Sequence, residues 1–281
     1  MSQIDIAKLK RGGYINQSDK TYFTIRVKLI AGNITSHQMA AVSVIAGKYG
    51  RGYVGLTTRL GIEIPWVTLE NLEHVKEELL AVGLAPGGTG PTVRPIVACK
   101  GTICVHGLGD TQGLCSDLDK AFFGREVGAK CKIGIVGCPN NCAKAQLNDI
   151  GFMGQCVPKV EVGLCVGCSK CVSVCKVKAI EMMYGKVKID TSKCIRCGKC
   201  VKACATKAIT VDKQGFVPYL GGKFGRKYRL GDRYEKLMSR EEVVEFTGKV
   251  LEYYMANANK GERLSDFVGR VGVETLIEGL K

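Results

Sequence analysis

One cysteine pattern, present twice at a fixed offset, constrains this chain more than any other feature. Residues 165–180 read CVGCSKCVSVCKVKAI and residues 194–209 read CIRCGKCVKACATKAI, 29 positions apart throughout. Each copy has the spacing C-x2-C-x2-C-x3-C. A repeat of this kind marks a structural unit used twice. What the cysteines do depends on compartment. The N-terminal stretch MSQIDIAKLKRGGY has no apolar run leading to a small-residue cleavage site, and nothing in the sequence approaches the roughly 20 apolar residues of a membrane span. The chain therefore reads as cytoplasmic, without a membrane span. In that compartment closely spaced cysteines are metal or redox ligands rather than disulfides.

The spacing is that of a [4Fe–4S] ligand run whose fourth cysteine serves the other cluster of a pair. Cys165, Cys168, Cys171 and Cys204 would hold one cluster, and Cys194, Cys197, Cys200 and Cys175 the other. Three cysteines cap the irons from a tight loop, and the fourth reaches across from the following short helix. Zinc is the alternative, but structural zinc sites pair two C-x2-C units across a longer loop. Lys176 and Ala205 stand where a proline often follows the fourth cysteine. Residues 158–213 resemble a bacterial two-cluster ferredoxin. Most of the chain lies outside that segment and must receive or supply its electrons.

Seven further cysteines precede the repeat. The stretch KCKIGIVGCPNNC (130–142) reads as a strand, with Ile133 and Ile135 on one face, ending at Gly137. A tight turn follows, then a helix starting near Cys142, whose N-terminus would offset the negative charge of a cluster. Together with VRPIVACKGTIC (93–104), this GCPNNC turn resembles the sirohaem-dependent sulfite and nitrite reductases. So do FTIRVKLIAGNITSHQMA and VGLTTRLGI within 23–62, GGKFGR (221–226) and KGERLSDFVGRVG (260–272). The inserted ferredoxin segment is most like the sirohaem subunit of anaerobic sulfite reductase and the ferredoxin-bearing dissimilatory enzymes.

The resemblance implies a third [4Fe–4S] cluster on Cys99, Cys104, Cys138 and Cys142, with the Cys142 thiolate bridging to sirohaem iron. It implies that Arg26, Arg94, Lys130 and Lys132 surround the oxyanion and that Arg59 contacts the sirohaem carboxylates. One departure stands out. The family's first cysteine pair is usually C-x5-C, and CKGTIC here is C-x4-C, a deletion for the Gly101 loop to absorb. Cys115 is the nearby replacement for Cys104.

Taken singly, each basic residue has a plainer reading. In YFTIRVKL the apolar residues alternate with polar ones, so Arg26 could lie on a solvated strand face. The same holds for Lys130 and Lys132, which share a face. Cys115, Cys131 and Cys156 read as small buried apolar residues, and Met182 and Met183 as filler around the clusters. His37, His74 and His106 lack partners at metal spacing; His106 alone lies near a candidate ligand. GGTG and GGKFG fit neither common nucleotide fingerprint.

The formal charge is +15, from 41 Lys+Arg against 26 Asp+Glu. Three clusters with their thiolates contribute about −6, and sirohaem's eight carboxylates about −8. The holoprotein would then be nearly neutral, so the basic excess calls for no nucleic acid.

The expected architecture is α+β. Residues 1–84 form a ferredoxin-like small lobe, with strands near 22–30 and 53–59 and helices over 36–48 and 69–81. Residues 85–157 and 214–281 form the sirohaem and cluster domain, and 158–213 the inserted two-cluster domain. Ser239-x-x-Glu242 opens a C-terminal helix as a capping box. Larger members of the family carry two copies of the lobe-plus-domain unit, so a single copy implies a homodimer or larger assembly, with small monomeric relatives as the alternative. The implied reaction is six-electron reduction of sulfite to sulfide, fed by an electron-donor protein such as a ferredoxin or a reductase subunit. Two alternatives stand beside it: nitrite reduction to ammonia, and a non-catalytic iron–sulfur electron-transfer subunit without sirohaem.

Overall fold

The structure, a computed structural model, describes residues 5–281; residues 1–4, part of the stretch read for a leader, lie outside the described residues. A short helix α1 (Ile6–Arg11) leads into strands β1 (Tyr14–Asn16) and β2 (Tyr22–Lys28). The alternation in β2 folds as written, with Phe23, Ile25 and Val27 buried and Arg26 and Lys28 on the other face. Helix α2 (Ser36–Tyr49) starts at Thr35, whose hydroxyl accepts from Gln38 N while the Gln38 side chain accepts from Thr35 N. This reciprocal cap satisfies two backbone donors that would otherwise be orphaned.

Strands β3 (Gly55–Leu56) and β4 (Ile62–Thr68), helix α3 (Leu72–Ala81) and strand β5 (Ala85–Pro86) complete the first lobe. The sheet order is β1-β2-β4-β3, all antiparallel, with β5 also on β2. Its core packs Ile25, Ile62 and Ile64 against Val42 and Ile45 of α2 and Val75 and Leu79 of α3. The strand expected over 53–59 shrinks to two residues. Thr57 Oγ1 accepts from Gly61 N at 3.0 Å and Leu60 takes φ 59°, so the chain turns there and leaves Thr57–Arg59 out of the ladder.

In the second lobe, β6 (Val97–Ala98), helix α4 (Thr111–Phe122), β7 (Ile133–Val136) and β8 (Ile150–Val160) come first. The insert follows with α5 (Lys170–Val174), β9 (Ile180–Met183), β10 (Lys186–Ile189) and α6 (Lys199–Ala203). Then come β11 (Ile209–Leu220), β12 (Asp232–Arg233), and helices α7 (Arg240–Asn257), α8 (Leu264–Val271) and α9 (Val273–Glu278). The sheet order is β12-β11-β8-β7-β6, with β6, β7 and β8 parallel and β8–β11 antiparallel. Every residue of β7 is buried, as expected for a parallel strand covered on both faces. Ile133, Ile135 and Phe152 pack with Leu114 and Leu118 of α4 and Val250 and Tyr254 of α7. Helix α7 opens with the Ser239–Glu242 capping box read from the sequence.

The long β8–β11 ladder runs from Ile150↔Leu220 to Val160↔Ile209 and carries the insert at its far end. The insert has its own small core around Ile180, Val187 and Ile209. The two lobes are tied by Lys28 of β2, whose ammonium contacts Asp119 Oδ2 of α4 at 2.6 Å and sits 4.1 Å from the Phe123 ring centre. Among the described residues no helix is long and apolar enough to cross a membrane.

Candidate active site

A cavity of about 270 Å³ is lined from both lobes by Arg26, Thr57, Thr58, Arg59, Arg94, Lys130 and Lys132. Five cations from four separate segments thus face one space. Arg26, on β2, is held by Glu63 on β4, with Nε to Oε1 at 2.9 Å. Arg59 leaves the Thr57–Gly61 turn and crosses to the second lobe, donating to Asn148 Oδ1 (3.0 Å) and Pro95 O (2.8 Å). Arg94 donates to Gly88 O at 2.8 Å. The Nε atoms of Arg59 and Arg94 are buried without a hydrogen-bond partner. Buried unpaired donors on a cation are costly unless an acceptor arrives.

Lys130 and Lys132 flank Cys131, whose backbone is bonded to Thr92 O and Arg94 N in an extended ladder just before β7. Lys130 is exposed and Lys132 half-buried. Lys132 N donates to Asp149 Oδ2 at 2.8 Å. Asp149 in turn accepts Nε and Nη2 of Arg263, both at 2.8 Å, and this pair is almost wholly buried, with side-chain exposures of 0% and 8%. The carboxylate that would neutralise the cavity is therefore already committed. Burial first, then repulsion from Arg59, Arg263 and Lys130, pulls the Lys132 ammonium down to about 8. Burial also brings Arg59 down to about 10 and lowers Arg94 and Lys130. Charge, desolvation and unpaired donors together suit the cavity to an anion.

The sign of the Lys132 shift gives a first expected result. An anion entering the cavity offsets the repulsion and raises the Lys132 pKa, so binding takes up protons near and above pH 8. In cofactor-free protein, sulfate affinity should fall as pH rises through about 8, and Lys132→Met should flatten that dependence. Calorimetry in two buffers of different ionisation heat measures the proton uptake; uptake that persists unchanged in Lys132→Met would assign it to another group.

A second cavity, about 450 Å³, is lined by Cys99, Cys104, Cys138 and Cys142 with Ala31, Leu60, Val97, Ala98 and His106. Thr58 lines both cavities, so the four-cysteine wall and the basic cage adjoin. Cys99 follows β6, with its sulfur accepting from Gly137 N at 3.1 Å and its carbonyl from Thr111 Oγ1 at 2.7 Å. The shortened Cys99–Cys104 loop closes tightly. A Cβ on Gly101 would lie 2.9 Å from Gly137 Cα, and one on Gly107 would overlap the Gly101 carbonyl. Cys104 thereby reaches the same wall as the other three. Cys115 does not. It is buried in α4, its thiol pointing to Ile96 O at 3.4 Å, and burial pushes it up to about 12.

The helix expected from Cys142 does not form. Asn141 and Lys144 adopt φ 55° and 54°, and Asn141 Oδ1 accepts from Ala145 N at 2.8 Å. Left-handed residues on either side of Cys142 break α-propagation, and only a 3-10 turn, Ala145–Leu147, precedes β8. The N–H that reaches this wall is Gly137 N, on the Cys99 sulfur, and Thr111, the first residue of α4, lies against the Cys99–Cys104 loop.

In the insert, Cys165, Cys168, Cys171 and Cys204 line one small cavity and Cys175, Cys194, Cys197 and Cys200 another. Cys171 and Cys200 lie within α5 and α6, whereas Cys175 and Cys204 stand just past their ends and not on the helices as expected. Backbone N–H groups reach the sulfurs of Cys175 (from Ala179, 3.2 Å) and Cys194 (from Arg196, 3.4 Å), contacts that stabilise thiolate charge. Among the described residues no three His, Cys, Asp or Glu side chains converge on a single metal ion. Each set of four cysteines lines a cavity of its own. Met182 lines the first cavity, whereas Met183 is 41% exposed and fills nothing. Cys156, read as apolar filler, is buried but lines the second cavity beside its four cysteines.

The Asp149–Arg263 pair and Asn148 do not stand out in the sequence as site residues. Asp149 and Arg263 are 114 positions apart, and although Arg263 stands in KGERLSDFVGRVG, nothing local pairs it with Asp149. The one available signal is an acid immediately before the apolar opening of β8, IGFM.

Two family models match this chain: the nitrite and sulphite reductase 4Fe-4S domain over residues 89–281 and the nitrite/sulfite reductase ferredoxin-like half domain over residues 15–82. The coenzyme F420-dependent sulfite reductase of Methanocaldococcus jannaschii is 39% identical over 274 residues, which is 96% of this chain but 44% of that protein. An anaerobic sulfite reductase component from Salmonella typhimurium is 33% identical over 176 residues, 56% of this chain and 50% of that protein. This chain thus spans about half or less of the length of both. The crystal structure of dissimilatory sulfite reductase I shares the fold, with a TM-score of 0.76 at 21% identity, covering 92% of this chain and 69% of that one. With both models matched in order and most of the chain covered, the chain belongs to the nitrite and sulphite reductase family.

Proposed function

We propose that this chain is the catalytic part of a sirohaem- and iron–sulfur-dependent sulfite reductase. The observation that carries the reading is the shared wall at Thr58: a cage of Arg26, Arg59, Arg94, Lys130 and Lys132 adjoins a cavity bearing four cysteines. The donor chemistry fits the family's cofactors. Two buried arginine Nε atoms lack acceptors, as a carboxylate-rich macrocycle or an oxyanion would supply, and four thiols line a largely apolar space.

Cys99, Cys104, Cys138 and Cys142 would hold a [4Fe–4S] cluster, with Cys142 shared with sirohaem iron and Arg59 on the sirohaem carboxylates. Sirohaem, when bound, supplies the redox iron through which six electrons reach sulfur. The chain's own residues do the rest. Arg26 and Arg94 hold sulfite oxygens; a guanidinium fork suits them through paired hydrogen bonds. Lys132, its ammonium pulled down to about 8 by burial and neighbouring cations, donates protons as each oxygen leaves as water, and Lys130 assists from the exposed side. The cations stabilise charge where it develops, in a site from which most water is excluded. The insert's eight cysteines would hold two further clusters that relay electrons from an external donor protein. As a chain with one copy of the lobe-plus-domain unit, it would assemble as a homodimer or larger.

The test is analytical and kinetic. Protein purified without oxygen should contain about twelve iron atoms in three clusters and one sirohaem iron per chain, with a sirohaem Soret band. Iron near eight without sirohaem would leave an electron-transfer subunit instead. Turnover with a low-potential donor should favour sulfite over nitrite; the reverse preference would assign the same cage to nitrite reduction to ammonia.

A further inference from the structure

The two ends of the insert differ. The loop carrying Cys194, Cys197 and Cys200 is fastened to the body of the protein. Cys156 N donates to Arg196 O at 2.8 Å, Arg196 pairs with Glu235 at 3.1 Å, and Lys202 Nζ donates to Val105 O at 2.6 Å. Leu108 packs beside Gly198, with Cδ2 3.1 Å from where a Cβ would stand. Val105 and Leu108 belong to the same loop as Cys104, so this end abuts the four-cysteine cavity of the second lobe.

The loop carrying Cys165, Cys168 and Cys171 is the free end. Among the described residues its hydrogen bonds stay within the insert: Lys186 Nζ donates to Cys165 O at 2.6 Å, and Cys165 N to Val162 O. Gly167 lies beside Gly185, which brings Val166 next to the Tyr184 turn. Here Val162, Leu164, Val166 and Tyr184 are 50%, 52%, 70% and 99% exposed, and Cys168 is exposed too. Single exposed apolar side chains are ordinary, but a group of them at a redox-bearing tip marks a contact surface. Three exposed lysines belong to this end: Lys170 in the Cys168–Cys171 loop, Lys186 bonded to Cys165 O, and Lys207, whose N–H donates to Cys204 O. Over residues 158–213 there are twelve Lys and Arg against four Asp and Glu. Two thiolate-bound clusters contribute about −4 and leave the insert basic.

We propose that this tip is the landing surface for an acidic, one-electron carrier protein. The proposal rests on the reading that the insert holds two clusters. The lysines steer the carrier in, and Tyr184 and Val166 seat it. The Cys165, Cys168, Cys171 and Cys204 set is then the entry point, and the Cys175, Cys194, Cys197 and Cys200 set hands on to the Cys104 loop. One electron moves per encounter: the carrier is oxidised by one, the entry cluster reduced by one, and no bond or proton changes.

Stopped-flow mixing of oxidised holoprotein with a reduced acidic [2Fe–2S] ferredoxin reads the second-order rate of cluster reduction. That rate should fall as salt is added, and Tyr184→Ala, Lys170→Glu and Lys207→Glu should each lower it about tenfold. Reduced methyl viologen, a small cation that needs no docking surface, should react at the parental rate with every variant, and iron content should be unchanged. Variants that react with the ferredoxin like the parent, or a rate that rises with salt, would overturn the docking surface while leaving the clusters intact. An insert that carries no clusters by iron analysis and electron paramagnetic resonance would overturn the two-cluster reading, and this proposal with it.

Discussion

Replacing Lys132 by Met should leave the protein folded and loaded with its cofactors yet lower sulfite turnover by about 100- to 1,000-fold, the cost of removing one preorganised charge-assisted donor at a transition state. Three observations separate this from the behaviour of an ordinary surface lysine. Lys132 is half-buried beside Arg59 and Lys130 on the cavity wall. Its ammonium is destabilised by burial and by those neighbours. Asp149, the carboxylate near enough to offset that, is held by Arg263. Removing such a charge costs the folded state nothing in lost pairing, so stability should hold or rise by a few tenths of a kcal/mol. Lys130 is more exposed, and Lys130→Met should fall at the lower end of the range. The measurement is turnover at matched iron and sirohaem occupancy. Near-parental rates for both variants would move the anion site off this segment.

The parts of this molecule legible in sequence are those whose determinants are local. The C-x2-C-x2-C-x3-C runs fix within a dozen residues which cysteines share a loop, and the expected crossed grouping matches the two cavity linings. Ser239-x-x-Glu242 and the alternation in Phe23–Val27 likewise carry their own structural instruction. The basic cage is different. Arg26, Arg59, Arg94 and Lys132 are legible through resemblance; alternation alone gives strand lysines and arginines a solvated face, and nothing local shows that β2, the Thr57–Gly61 turn and the segment before β7 meet. The misread pieces share a cause. Thr57–Arg59 looks like strand and Cys142 onward like helix when side-chain pattern is read without backbone sign. Leu60, Asn141 and Lys144 all sit in the left-handed region, stabilised by neighbouring side-chain and turn hydrogen bonds, and such residues stop an element that hydrophobic spacing would extend.

Asp149→Ala is expected to be the most damaging single change outside the cysteine sets, at about 3–5 kcal/mol of folding stability. The carboxylate accepts two bonds from Arg263 and one from Lys132 N, all at 2.8 Å. Its loss strands a guanidinium that is 7% exposed and removes the acceptor of the Lys132 amide. An uncompensated buried charge costs more than the pair itself gains, because forming the pair already required desolvating both partners. The double variant Asp149→Ala with Arg263→Met removes both charges and should recover most of the lost stability, leaving roughly the 1–3 kcal/mol of the unsatisfied Lys132 amide. Function should part from stability at that point. With the acceptor gone, the backbone that aims Lys132 at the cavity loses its Lys132 N bond and keeps only the Cys131 ladder and Ile150 N to Lys132 O, so the double variant should fold with its cofactors and still turn over sulfite slowly. Urea denaturation of the parent, the single and the double variant reads the first term, and kcat at matched sirohaem occupancy reads the second. A double variant as unstable as Asp149→Ala would show that burial of the charge is not the cause. One with parental kcat would show that the pair serves the fold alone and that Lys132 finds its place without it.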